Sequence, residues 1–125
     1  MEWVKRIGTY AVVTAILTLL APAALRAGGK GFRTEHLLEE HYTKHGKDFG
    51  NISRQDYLKM AQSLRDARPN NDVLESRRPD GGAAHFDRRK GWFVAFDADG
   101  TIRTFFVPND GVRYFTRQAS TYGGR

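Results

Sequence analysis

Helical spacing dominates the first half of the chain and short apolar runs dominate the second. Over residues 35–45, Leu37, Leu38 and Tyr42 fall along one side of a helix. Thr34 precedes it as a candidate N-cap, and Gly46 is predicted to end it by taking a left-handed conformation. A second helix is predicted to start at Ser53, with Asp56 three residues on as a shortened capping box. Its Tyr57, Met60, Ala61 and Leu64 recur at helical spacing and are expected in the core, and Arg68-Pro69-Asn70-Asn71 closes it. Strands are predicted at 73–76, 83–87, 92–97 and 101–107. Asp80-Gly81-Gly82, residues 88–91 and Asp99-Gly100 separate them as turns. Short turns between successive runs imply an antiparallel meander. The predicted fold class is α+β, with two N-terminal helices packed on one face of a roughly four-stranded antiparallel sheet. Pro108-Asn109-Asp110-Gly111 is a turn, and residues 112–115 form a short terminal element.

Ahead of these elements, residues 1–6 hold two cations and one carboxylate, and residues 7–25 are almost uninterrupted apolar sequence. Small residues follow, with Ala21-Pro22-Ala23 and Leu25-Arg26-Ala27 as candidate cleavage sites. This is the layout of a secretory signal peptide. A retained membrane anchor is the alternative, since residues 7–25 barely suffice to cross a bilayer. The predicted organisation is a signal peptide or anchor at 1–27, a flexible hinge at 28–33, a folded domain at 34–118 and a disordered tail at 119–125. The expected location is secreted or periplasmic, with membrane contact only through residues 1–27 if they are not cleaved.

A chain of 125 residues carrying such a segment leaves room for one modest core. Its net charge is +6. Removing Lys5, Arg6 and Arg26 from the 20 cations and Glu2 from the 14 carboxylates leaves 17 and 13, so the part beyond Ala27 is still +4. A basic surface fits a polyanionic partner such as nucleic acid or anionic lipid. Cysteine is absent, which excludes disulfides and thiolate metal sites. Such a domain needs no oxidising compartment to fold.

Candidate chemistry concentrates in two segments. On the first helix His41, Lys44 and His45 stand at i, i+3 and i+4 and share a face. Histidine titrates near neutrality and moves protons in either direction. Cleavage of RNA through its 2′-hydroxyl needs a group to take that proton, another to protonate the leaving 5′-oxygen, and cations to stabilise the phosphorane. A His/Lys cluster supplies all three. The plainer readings are a solvated helix face, or a histidine favoured by the helix macrodipole. His41 and His45 also have the spacing of a zinc helix. Tyr42 and Thr43 follow His41, however, so the glutamate of HExxH is missing. No metal and no cofactor are expected. His36 lies on another side of the helix and His85 in a strand, and both read as incidental.

The second segment is the last strand. Period-two alternation puts Ile102, Thr104 and Phe106 on one face and Thr101, Arg103 and Phe105 on the other. Arg103 suits a phosphate clamp, and Thr104 can donate to a non-bridging oxygen. A regular strand cannot aim both into one cleft, so either a bulge re-aims one or one is structural. Beyond it, Tyr114 can hydrogen-bond phosphate or stack on a base. Phe115 is expected in the core.

From about Glu35 to Gln118 the chain resembles the C-terminal toxin domains of bacterial polymorphic and contact-dependent inhibition systems. These belong to the barnase–EndoU–colicin D–RelE-like nuclease group. The resemblance is carried by Lys44-His45-Gly46, by Arg103-Thr104, and by Tyr114-Phe115 followed by Gln118. It implies His45 as the key catalytic histidine, with His41, Lys44, Arg103, Thr104 and Tyr114 as further site residues. Val107 stands where related domains often have a lysine before the proline, with Arg113 or Lys90 as substitutes. The function so implied is a metal-independent endoribonuclease toxin, leaving 2′,3′-cyclic phosphate and 5′-hydroxyl ends. Its substrate would be RNA, specifically tRNA, and its partner an acidic immunity protein protecting the producer. Such a toxin would act in the cytoplasm of a target cell. A function of a different class, a non-catalytic basic module binding anionic lipid or nucleic acid, is the alternative.

Overall fold

Thr34 opens the first helix by accepting a hydrogen bond on its side-chain oxygen from Leu37 N at 3.1 Å. The computed structural model describes residues 30–123, so the predicted signal peptide or anchor lies outside the described residues. Helix α1 (Glu35–His45) buries Leu38 and leaves most of its surface to solvent. Gly46 does not end it as expected. Its φ is −56°, and the chain continues into a 3₁₀ turn over Gly46–Phe49 before reversing at Gly50, where φ is 100°. Glycine is required at 46 for space instead: a Cβ there would lie 2.6 Å from the Tyr42 ring.

Helix α2 (Arg54–Asp66) starts with the expected capping box between Ser53 and Asp56. Tyr57, Ala61 and Leu64 are buried, while Met60 packs at the margin of the core. The strands are β1 (Val73–Arg77), β2 (Ala83–Asp87), β3 (Trp92–Phe96) and β4 (Ile102–Phe106). They form one antiparallel sheet in the order β1-β2-β3-β4, the expected meander with β4 at an edge. Val94, Ile102 and Phe105 meet Leu38, Tyr57, Ala61 and Leu64 in the larger core, between the sheet and the first two helices. The Tyr57 hydroxyl ties α2 to β4 by donating to the Phe105 carbonyl.

Two regions differ from expectation. Residues 112–115 do not stand alone but begin helix α3 (Val112–Gly123), so residues 119–123 continue a helix and are no tail. This helix lies across the other face of the sheet, where Phe115 joins Ala84, Phe86 and Phe93 in a second core. The domain therefore has three layers, with helices on both faces.

Residues 30–32 are held, not hinge-like. The Lys30 carbonyl accepts from Arg65 at 2.6 Å and from Gln62 at 2.8 Å. The Gly31 carbonyl accepts from Ile102 N at 2.9 Å, and Phe32 bridges Ile102 in parallel along the edge of β4.

In β4 the strand alternation breaks, one of the two outcomes left open for Arg103 and Thr104. Opposite β4, Ala95 pairs with Thr104 but its neighbour Phe96 pairs with Ile102. Arg103 is thus the extra residue of a β-bulge.

Candidate active site

A cleft of about 800 Å³ opens where α1 passes β4 at the edge of the sheet. Helix α1 contributes His41, Lys44 and His45 from successive turns of one face, and β4 contributes Thr104 and Phe106. Tyr114 closes the third side from α3, packed edge-on against Phe93 and Phe106 with ring centroids 4.9 and 5.2 Å away. Five of the six residues singled out in the sequence therefore line one cleft. Glu39, Glu40 and Thr43 complete the α1 wall.

The two histidines are half-buried and held by aromatic contacts. His41 stacks on Phe32 with centroids 4.9 Å apart, and His45 lies 5.3 Å from the Phe106 ring. Their own centroids are 6.0 Å apart, close enough for both to reach one phosphodiester. His41 Nδ1 is buried and has no hydrogen-bond partner among the described residues. Both imidazoles have pKa values below the ordinary histidine value. For each the main cause is burial, which penalises the charged form. His45 and Lys44 push His41 further down against the opposing effect of Glu40. Lys44 pushes His45 down against Asp48. Both shifts favour the neutral, proton-accepting form of the rings, with Lys44 beside them.

Arg103 does not line this cleft. It lies in the adjoining pocket of about 200 Å³ with Thr104, Tyr114 and Gln118, and in a further groove with His41. The bulge resolves the conflict between Arg103 and Thr104, because both line that smaller pocket although they are consecutive in the strand. The Arg103 guanidinium donates to Asp97, whose carboxylate also takes Arg78 at 3.4 Å and Arg33 at 3.8 Å. Neither Arg113 nor Lys90 lines the cleft; the Lys90 ammonium sits 4.5 Å over the Trp92 ring. The cation expected near Val107 thus has no counterpart from either residue.

Among the described residues no group of three or more His, Asp and Glu side chains is placed to hold a metal ion. His36 is exposed and pairs with Glu40 one turn on, at 3.2 Å. His85 is buried and engaged on both ring nitrogens, by the Leu64 carbonyl at 2.8 Å and Glu75 at 2.7 Å, which makes it a structural residue. Sequence reasoning missed Arg78 and Ser76, which line the smaller pocket from the end of β1 and just beyond it. Ser76 has the same strand parity as Leu74 on the α3 side, which was a usable signal. Arg78 had none, since it follows the strand and its position depends on the fold.

No family model matches the chain. No curated protein matches it. Among solved structures it is similar to a ribonuclease from Escherichia coli complexed with its inhibitor protein, with 19 % identity and a TM-score of 0.41, over 63 % of this chain and 95 % of that one.

Proposed function

We propose that the protein is a metal-independent endoribonuclease toxin. The observation that carries this reading is the cleft itself, in which two neutral-leaning histidines, a lysine, a threonine hydroxyl and a tyrosine converge from three separate elements.

In the proposed reaction His45 takes the proton of the 2′-hydroxyl as the oxygen attacks the adjacent phosphorus. A neutral imidazole is the form that this step needs. An anionic phosphodiester between the two rings favours protonation of His41 in the complex, by the attraction that any nearby opposite charge exerts. His41 then delivers its proton to the leaving 5′-oxygen. Lys44 and the Thr104 and Tyr114 hydroxyls stabilise the charge on the phosphorane oxygens. The products are a 2′,3′-cyclic phosphate and a 5′-hydroxyl end, and the proton count balances between the two imidazoles. The substrate we favour is tRNA, on the resemblance of the Lys44-His45-Gly46 and Arg103-Thr104 segments to nuclease toxins. A producing cell would need an inhibitor, and a cation-bearing site calls for an acidic one that associates rapidly by electrostatic steering.

The test is a time course of the protein with total RNA in excess EDTA, followed by end-group analysis. Discrete fragments with cyclic phosphate ends, lost in a folded His45→Ala protein, are expected. Intact RNA after incubation with folded protein would overturn the enzyme reading and leave a non-catalytic basic module.

A further inference from the structure

The cleft does not end at Thr104 and Tyr114. Both residues also line the pocket of about 200 Å³ on the α3 side of the sheet, so the two spaces adjoin at these side chains. The floor of this pocket is apolar, made by Ala84, Phe93 and Ala95. Every polar residue of its lining can donate a hydrogen bond: Arg78, Arg103, Ser76, Thr104, Tyr114 and Gln118, with no carboxylate among them. Such a donor-rich set over an apolar floor suits an oxyanion carried on an organic group.

Arg78 is built into place. Its side chain is only 11 % exposed. It donates to the Phe96 carbonyl at 3.1 Å, and lies 3.4 Å from both Asp97 and Asp80. Gly82 reserves the space, since a Cβ there would stand 2.1 Å from Arg78 Nη2. Arg33, Arg78 and Arg103 gather on the single carboxylate of Asp97, with Asp80 beside Arg78, so that three guanidiniums are drawn to one corner of the sheet. Guanidinium forks match phosphate oxygens in geometry and charge.

We infer that this pocket is a second subsite of the same site, which seats the phosphate of the nucleotide next to the scissile bond on Arg78, Arg103 and Gln118. The substrate is then an extended single strand of RNA, with one phosphodiester in the His41–His45 cleft and its neighbour in the pocket. This rests on the ribonuclease reading for the identity of the strand, but the phosphate site can be tested without cleavage.

The experiment measures binding of a deoxydinucleotide to the full chain by calorimetry at fixed salt. The ligand lacks the 2′-hydroxyl and cannot be cut by the proposed route. It is compared with the same dinucleotide bearing an added 5′-phosphate, and with one bearing an added 3′-phosphate. One of the two phosphorylated ligands is expected to bind about tenfold tighter than the plain one, as one charge-assisted hydrogen-bonded contact implies. The gain should shrink to below about threefold in Arg78→Gln and in Gln118→Ala. Gln118 stands on α3, so its variant tests the pocket even if Arg78→Gln fails to fold. Equal affinity of the parent for all three ligands overturns the subsite, as does a gain that survives undiminished in a folded Gln118→Ala or Arg78→Gln protein. Failure of RNA cleavage with the phosphate gain intact would overturn the enzyme reading alone.

Discussion

Ile102 and Phe105 lie in the same core although an odd number of positions separates them along β4. In a regular strand they would face opposite ways. The bulge at Arg103 absorbs one residue, so Ile102 turns toward α1 and α2 beside Phe105 while Thr104 and Phe106 turn together to the cleft. Burying two large apolar groups on one side is thereby reconciled with presenting a hydroxyl and an arginine on the other.

This geometry separates the two polar residues in kind. Arg103→Ala should weaken RNA binding and lower the slope of log affinity against log salt by about one, the loss expected for one phosphate contact. Its melting temperature should stay near the parent value, because the side chain is exposed. Thr104→Val keeps the shape and deletes the hydroxyl that lines both spaces, so it should cut turnover more than affinity. Affinity, melting and cleavage are measured on the same preparations. If both variants bind, melt and cleave like the parent, β4 is not part of the site.

The lowered histidine pKa values fix a sign for the pH profile. The His45 ring gains its proton only below the ordinary histidine value of about 6.5, so the neutral form that the base step needs persists to lower pH than usual. The acid limb of kcat/KM should therefore fall below pH 6.5. Lys44 helps to hold His45 down, and Lys44→Gln should shift the His45 titration upward when followed by NMR. An acid limb at or above 6.5, or a His45 titration indifferent to Lys44, would remove His45 as the tuned proton acceptor.

Much of this was legible beforehand, for local reasons. The capping groups Thr34 and Ser53, the Tyr57, Ala61 and Leu64 stripe, and the glycine turns act within a few residues, and each appears as read. The shared face of His41, Lys44 and His45 follows from helical spacing alone. What was not legible depends on partners remote in sequence. A bulge in β4 was one of two possibilities, and the choice between them rests on Ile102 and Phe105 both having core partners on α1 and α2, which alternation cannot express. Helix α3 was hidden by Val112, Tyr114, Phe115 and Thr116, which favour strands intrinsically. Its helical signal was nonetheless present in Phe115 and Ala119, four apart and both packed on the second core.

Gly46 offers a test of packing beside the site. A methyl at this position would meet the Tyr42 ring at 2.6 Å, and displacing that ring breaks the hydroxyl's 2.6 Å bond to the Ile52 carbonyl. Gly46→Ala should lose about 1–3 kcal/mol in denaturant unfolding, the usual cost of overpacking. Because His45 is adjacent, cleavage should fall as well. A variant as stable as the parent would show that the turn relaxes freely.

The last expectation concerns Glu75 and the buried His85. Both ring nitrogens of His85 face acceptors while Glu75 is ionised, the Leu64 carbonyl at 2.8 Å and the carboxylate at 2.7 Å. The hydrogen bond from His85 is the main cause that holds the Glu75 carboxyl below its ordinary range. A carboxyl with a depressed folded pKa stabilises the protein above its unfolded value of about 4.3, and that contribution is lost as pH falls through the folded value. Unfolding midpoints should therefore drop in the acid range more steeply for the parent than for Glu75→Gln. At neutral pH the amide still accepts a hydrogen bond but lacks the charge, so Glu75→Gln should be less stable by about 1–3 kcal/mol. Parallel stability curves for the two proteins between pH 3 and 7 would show that the pair contributes no net charge interaction. His85 would then be held by the Leu64 carbonyl and by packing against Phe96, whose ring stands edge-on to it with centroids 5.1 Å apart.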